Sequence, residues 1–159
     1  MANVFLLLGS NLGNREMYLQ QAIMGIEAEI ALVAKASGVY ETQSWGNNDA
    51  PDYLNQVVLL QTNLPPRDLL DKILYIEKAL GRERREKWGP RFIDIDILFY
   101  DDKVIDEPGL QIPHPRLHER GFTLEPLAEI APEFIHPVFN KTIAQIKAEL
   151  KDSLIVKKL

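Results

Sequence analysis

Cysteine is missing from all 159 residues, which excludes disulfide staples and thiolate zinc sites and suits a reducing compartment. Long apolar runs are missing too. The longest hydrophobic patches are interrupted well short of the roughly 20 residues that span a bilayer, so no membrane segment is expected. The first residues, Met1 to Gly9, have no basic segment ahead of their apolar stretch and read as a buried strand rather than a secretory signal. Positive charge is in deficit, with a formal net charge of -5, which argues against a general nucleic-acid binder. What remains is the length of one domain, 1–159, with 46% hydrophobic residues to fill a core. The expectation is a cytoplasmic protein, monomeric, acting on small molecules.

Against that acidic background one segment is basic. Arg82, Arg84, Arg85, Lys87 and Arg91 lie between Gly81 and Arg91, diluted only by Glu83 and Glu86. A single concentrated basic loop points to a small, highly charged anion rather than a long polyanion.

The periodicity predicts an alternating chain. Val4 to Leu8 is a short apolar strand stopped by Gly9-Ser-Asn. A helix follows, capped by Asn14, with Leu19, Ile23, Ile26 and Ile30 as its buried stripe. Val33 to Thr42 is the second strand, Gln43 to Pro51 a loop containing Trp45, and Tyr53 to Thr62 the third strand. Pro65 and Pro66 start a second helix with Leu69, Ile73, Ile76 and Leu80 inside; Glu77 sits one residue off that stripe. Phe92 to Phe99 is the clearest strand, Glu107 to Pro115 reads as largely irregular, and Leu124 to Ile130 and Ile143 to Leu150 allow two short helices. No internal repeat is visible. The order matches the split βαβ of a ferredoxin-like α+β sandwich, an antiparallel sheet with helices packed on one face and the other face open for a site.

Asp94 and Asp96 are the sharpest chemical feature. On a strand with Ile93, Ile95 and Ile97 facing the helices, both carboxylates share the opposite face about 7 Å apart. That spacing suits magnesium, which takes one or two carboxylates and completes its shell with water and substrate phosphates. The plain alternative is a solvated strand face, but a basic loop directly ahead of the strand adds a phosphate clamp to a metal site, the combination phosphoryl transfer uses. The loop by itself reads as a solvent-facing charged connector; Trp88-Gly-Pro-Arg91 tilts it toward function, because a Gly-Pro turn fixes where Arg91 points and arginine grips phosphate bidentately. Gly9-Ser-Asn-Leu-Gly13 lacks the spacing of either phosphate-binding glycine motif and reads as a tight turn. His114 and His118 have no third ligand and suit phosphate hydrogen bonding or capping better than metal.

Gly9-Ser-Asn-Leu-Gly13, Asp52-Tyr-Leu-Asn55, Arg82 with Arg84, Trp88-Gly-Pro-Arg-Phe-Ile-Asp-Ile-Asp96, Pro113-His114 and Arg120-Gly-Phe122 together resemble, in order, the 6-hydroxymethyl-7,8-dihydropterin pyrophosphokinases of folate biosynthesis. The resemblance implies transfer of diphosphate from ATP to the hydroxymethyl oxygen of a pterin, leaving AMP. It implies two magnesium ions on Asp94 and Asp96, and transfer assisted by Arg82 and Arg91. Glu77, Arg84, Trp88, Ile97, His114 and Arg120 fall at nucleotide-site positions. Tyr53 and Phe122 match an aromatic pair that sandwiches the pterin ring, and Thr42 and Asn55 its polar contacts; stacking and a paired amide donor and acceptor suit such a ring. Gln43-Ser-Trp45, Pro115, Gly109 and a basic loop one residue shorter depart from the family's commoner pattern, and these positions bear on loop closure and adenine contacts.

The residues alone leave two other readings open. One is a magnesium-dependent nucleotidyltransferase, which releases pyrophosphate instead of AMP. The other is a non-catalytic ferredoxin-like binding module whose aspartates are merely solvated.

Overall fold

The computed structural model describes residues 1–42, 52–81, 92–151 and 155–159. Its chain order is β1 (Ala2–Ser10), α1 (Arg15–Glu29), β2 (Val33–Ala36), β3 (Tyr40–Thr42), β4 (Tyr53–Thr62), α2 (Pro66–Ala79), β5 (Asp94–Tyr100), β6 (Ile105–Glu107), β7 (Leu110–Ile112), α3 (Gly121–Ile130), α4 (Ile143–Glu149) and β8 (Val156–Lys158). A 3-10 turn over Leu117–Glu119 precedes α3. The main sheet runs β5-β1-β4-β3-β8, with β2 also on β4, and its described pairings are antiparallel. This is the expected ferredoxin-like α+β sandwich.

The first face of the sheet is the helix face. Leu6 and Leu8 from β1, Leu54, Val58 and Leu60 from β4, and Ile93, Ile95 and Ile97 around β5 form one core with Leu19, Ala22 and Ile26 of α1 and Leu69, Ile73 and Ile76 of α2. Asn14 caps α1 as its sequence predicts, its side chain accepting the Met17 N–H at 3.1 Å. Pro66 opens α2 with Pro65 as the preceding cap, again as expected.

The second face is not open along its length. Phe5 and Leu7 of β1, Val57 of β4 and Leu98 and Phe99 of β5 form a second core with Leu124 and Leu127 of α3 and Ile143 and Ile146 of α4. The expectation of helices on one face alone is therefore corrected: β1 carries apolar residues on both faces, Val4, Leu6 and Leu8 on one and Phe5 and Leu7 on the other, and each set needs a cover. A register shift between Phe5 and Leu6 makes Leu98 an extra residue opposite β1. The alternation slips by one there, so Phe99 joins the second core and Tyr100 the first.

Other departures are local. The predicted strand over Val33 to Thr42 breaks into β2 and β3. At the break the Ser37 hydroxyl accepts the Val57 N–H at 2.9 Å while the Ser37 N–H donates to Val57 O, so a side chain continues the ladder through the corner. Part of the stretch read as irregular is a hairpin, β6 and β7, turned by Gly109 at φ 74. Helix α3 begins three residues before the predicted Leu124 and carries Pro126 inside it. Strand β8 pairs with β3 and has no counterpart in the sequence reading.

Candidate active site

Register places the polar candidates in consecutive rows on the second face. Phe5 lies opposite Leu59 and Phe99; Leu7 lies opposite Val57 and Asp96; Gly9 lies opposite Asn55 and Asp94, with Tyr40 beyond Asn55; and Thr42 lies opposite Tyr53. Directly opposed residues of antiparallel strands share a face. The face therefore changes from a covered apolar end to a polar end that gathers Asp94, Asp96, Asn55, Tyr53 and Thr42, five residues singled out from sequence. Glycine at position 9 has a steric reason: an added Cβ would lie 2.9 Å from Asn55 Nδ2. The turn reading of the glycine motif left this close approach undetected.

Polar atoms at this end lack partners among the described residues. Thr42 Oγ1 and Asn55 Oδ1 are buried and have no hydrogen-bond partner among the described residues, although Thr42 and Asn55 are only 2% and 4% exposed. Leaving such atoms unsatisfied costs about 1–3 kcal/mol each, a cost a ligand can relieve. Ser10 Oγ is a third such atom, at the end of β1, and was not singled out from sequence. Arg15 braces the same end, donating from Nη1 to Glu41 Oε2 at 3.0 Å and to the Asp52 carbonyl at 2.7 Å.

Phe122 and Arg120 approach from the start of α3. The Arg120 guanidinium carbon sits 5.4 Å from the Phe122 ring centroid. Burial pushes the Arg120 pKa down, the neighbouring Asp96 charge opposes that shift, and Arg116 adds to it. Asp96 and Arg120 are thus electrostatic neighbours across the site. His114 is held neutral, its pKa lowered to about 4 by burial and then by Arg120 and Arg116. Its Nδ1 accepts the Arg116 N–H at 3.2 Å, which leaves Nε2 as the protonated nitrogen and a hydrogen-bond donor. Its own backbone N–H donates to Leu98 O on β5 at 3.1 Å, fixing it to the strand that carries the aspartates.

Glu77 works from behind. It lies on α2, 3% exposed, and its Oε2 accepts the Ile95 N–H at 2.8 Å. The Ile97 side chain is not brought to the site; it packs into the α1 and α2 core, so only its main chain can face a ligand. Arg82, Arg84, Trp88 and Arg91, like Trp45, lie outside the described residues. Phe92, which follows the basic segment, packs on Tyr18 with ring centroids 5.0 Å apart and against Gly13, whose φ of 69 and crowded Cβ position explain that glycine.

No cluster of three His, Asp or Glu suited to a metal occurs among the described residues. Two partly buried aspartates on one strand face nevertheless fit a hard cation that takes its remaining ligands from water and phosphate.

Fold and site define a class: a ferredoxin-like α+β sandwich with a candidate small-molecule site at one end of a partly covered sheet face. Residues 5–132 match the model of the 7,8-dihydro-6-hydroxymethylpterin-pyrophosphokinase (HPPK) family. The 2-amino-4-hydroxy-6-hydroxymethyldihydropteridine pyrophosphokinase of Aquifex aeolicus is 47% identical over 149 residues, covering 94% of this chain and 92% of that protein. The Synechocystis protein of the same name is 44% identical over 144 residues, covering 87% and 71%. A crystal structure of wild-type Plasmodium falciparum HPPK-DHPS superimposes with a TM-score of 0.75 at 19% identity, covering 94% of this chain. The chain spans 43% of that longer protein, and the likeness concerns the fold alone. The chain belongs to the HPPK family.

Proposed function

We infer that the chain transfers diphosphate from ATP to the hydroxymethyl group of 6-hydroxymethyl-7,8-dihydropterin, giving the pterin diphosphate and AMP in folate biosynthesis. Family membership supports the reaction, and one observation carries the assignment of its site. Thr42 Oγ1 and Asn55 Oδ1, both buried without partners among the described residues, share a sheet face with Tyr53 and with Asp94 and Asp96. A flat heterocycle with an amino-pyrimidinone edge would satisfy those atoms while stacking between Tyr53 and Phe122.

In this reading the pterin hydroxyl oxygen attacks the β-phosphorus of ATP, the bond between that phosphorus and the oxygen bridging to the α-phosphate breaks, and the hydroxyl proton is released. Magnesium, two ions by our reading, would be held by Asp94 and Asp96 together with phosphate oxygens and would supply charge neutralisation of the triphosphate. Asn55 and Thr42 orient the acceptor. His114 offers its Nε2–H and Arg120 its guanidinium to phosphate or nucleotide, and Glu77 holds the strand bearing the aspartates. Arg82, Arg84, Trp88 and Arg91 are assigned to the nucleotide by resemblance, with Arg82 and Arg91 assisting transfer. No side chain is assigned as a dedicated general base; positioning and charge stabilisation do most of the catalysis. Residues 1–159 are read as one pyrophosphokinase domain, monomeric and cytoplasmic; among the described residues no helix is long and apolar enough to cross a membrane.

The decisive experiment incubates the protein with ATP, magnesium and 6-hydroxymethyl-7,8-dihydropterin and identifies the products. AMP and pterin diphosphate are expected. Free pyrophosphate would establish a nucleotidyltransferase instead, and no turnover with unaltered ATP binding in Asp94→Ala and Asp96→Ala would favour a binding module.

A further inference from the structure

Helix α3 carries Phe122 in its first turn and Glu129 in its last, about 10 Å apart along the axis by helical rise. The Glu129 carboxylate is a junction. Its Oε1 accepts the Tyr40 hydroxyl at 2.6 Å, its two oxygens accept the Gly38 N–H at 3.2 and 3.1 Å, and Lys158 Nζ lies 3.3 Å from Oε1. One side chain thus joins α3 to the corner before β3, to β3 itself and to the last strand. Two of the partners are in register, because Tyr40 pairs with Lys158 on one side, and it pairs with Asn55 on the other.

The surroundings are built for this contact. A Cβ at Gly38 would come 2.8 Å from Lys158 Cε and 3.5 Å from Glu129 Oε1, so a side chain there would displace the lysine from the carboxylate. Tyr40 is 7% exposed, and burial followed by its bond to Glu129 raises its pKa, which keeps the phenol protonated as donor. The bond from Tyr40 is the largest cause of a lowered Glu129 pKa, which keeps the acceptor ionised. A short hydrogen bond to an ionised acceptor is among the stronger kinds.

Tyr40 stands two residues from Thr42 on one strand and directly opposite Asn55 on the next. We propose that the Tyr40–Glu129 hydrogen bond, backed by Gly38 and Lys158, is a positioning pair that sets the gap between Phe122 on α3 and the Thr42, Tyr53 and Asn55 wall on the sheet, and with it the affinity for the pterin. The proposal rests on the reading of Phe122 and that wall as the two sides of the pterin site. Sequence reading passed over both residues because they sit 89 positions apart and outside every motif.

The test measures pterin and ATP binding separately, together with urea unfolding, for Tyr40→Phe, Glu129→Ala, Glu129→Gln and the Tyr40→Phe/Glu129→Ala pair. Loss of one net hydrogen bond predicts that Tyr40→Phe weakens pterin binding about three- to tenfold, and Glu129→Ala, which also removes the Gly38 and Lys158 contacts, should weaken it at least as much, with ATP binding unchanged in both. The double variant should add less than about twofold to Glu129→Ala, since that substitution already breaks the bond to Tyr40. Glu129→Gln retains an oxygen acceptor and should recover most of the affinity. Lower stability with wild-type pterin affinity, or ATP and pterin affinities falling together, would overturn the proposal and leave a fold brace. Phe122→Ala separates this from the underlying site reading: if that variant binds pterin normally the site assignment itself fails, whereas if it binds weakly and the pair variants bind normally only the positioning role is lost.

Discussion

The carboxylate of Glu77 accepts the backbone N–H of Ile95, the residue between Asp94 and Asp96, at 2.8 Å. Among the described residues, strand β5 is an edge of the main sheet and has β1 on one side only. The free side of an edge strand presents unpaired backbone donors, and a buried side chain from α2 here satisfies one of them. The two aspartates are therefore held by the helix layer behind them as well as by their ladder to β1.

Removing that brace should be visible in both stability and metal-dependent binding. Glu77→Ala leaves a buried N–H without its acceptor and is expected to cost about 2–3 kcal/mol in urea unfolding; Glu77→Gln, which can still accept, should cost about 1 kcal/mol or less. In folded Glu77→Ala the affinity for ATP with magnesium should fall more than the affinity without it, because the aspartates lose their alignment. A wild-type magnesium increment in that variant would show that the ladder to β1 suffices.

Much of this is legible in the sequence, and for a physical reason. Period-two alternation around Ile93, Ile95 and Ile97 fixes which way Asp94 and Asp96 point, and Tyr53 and Asn55 obey the same rule on β4. Gly9 shows the limit: its need for a bare Cα depends on Asn55 approaching from a strand nearly fifty residues away, which no local pattern encodes. The covered second face is not legible because local periodicity allows the short helices α3 and α4 without saying which face of the sheet they cover. Strand β8 was missed because three residues form a strand only where an exposed edge such as β3 accepts them. Ile97 falls at a nucleotide-site position by resemblance, and because its side chain lies in the helix-face core that role is left to its main chain.

Thr42→Val separates binding from folding. Valine keeps the shape of threonine and removes an oxygen that has no partner among the described residues, so stability should be unchanged or slightly raised. The pterin, in contrast, loses a hydrogen bond, and its dissociation constant should rise about three- to tenfold. Titration of the ligand's intrinsic fluorescence alongside urea unfolding reads both quantities on one preparation. A drop in stability with unchanged affinity would mean that Thr42 Oγ1 serves the fold and not the ligand.

Asp96→Asn tests the metal assignment. The amide nearly matches the carboxylate in size and lacks its charge, so the gain in ATP affinity conferred by magnesium should shrink to within about twofold of the value in EDTA, with kcat at least about a hundredfold lower. Asp96 also opposes the burial of the Arg120 charge. Arg120→Gln should accordingly weaken ATP without abolishing the magnesium increment. If both variants lost that increment equally, the arginine and not the ion would be the partner that Asp96 serves.

The last expectation concerns acid. His136 is 3% exposed, its Nδ1 accepts the N–H groups of Val138 and Phe139 at 3.1 and 3.3 Å, and its ring stacks on Phe139 with centroids 4.4 Å apart. Burial first, and then the charge of His118, lower its pKa to about 4. A protonated Nδ1 could no longer accept those two donors. The unfolded chain takes up a proton near the ordinary histidine value of about 6.5, while the folded chain resists until about pH 4. Folding stability is therefore full above about pH 6.5 and declines as the pH falls toward 4, by at most about 1.4 kcal/mol per pH unit for this one group. His114, lowered to about 4 by burial and two arginines, acts in the same direction. His136→Asn keeps an acceptor oxygen near the Nδ1 position and removes the titration. It should lose some stability at pH 7.5 through its missing ring contacts, yet decline less steeply between pH 6.5 and 4.5 than the unsubstituted protein. Urea unfolding at several pH values in that window supplies the comparison. Two parallel curves, offset but equal in slope, would show that His136 charges freely in the folded state and that its backbone-capping role is weaker than its geometry indicates.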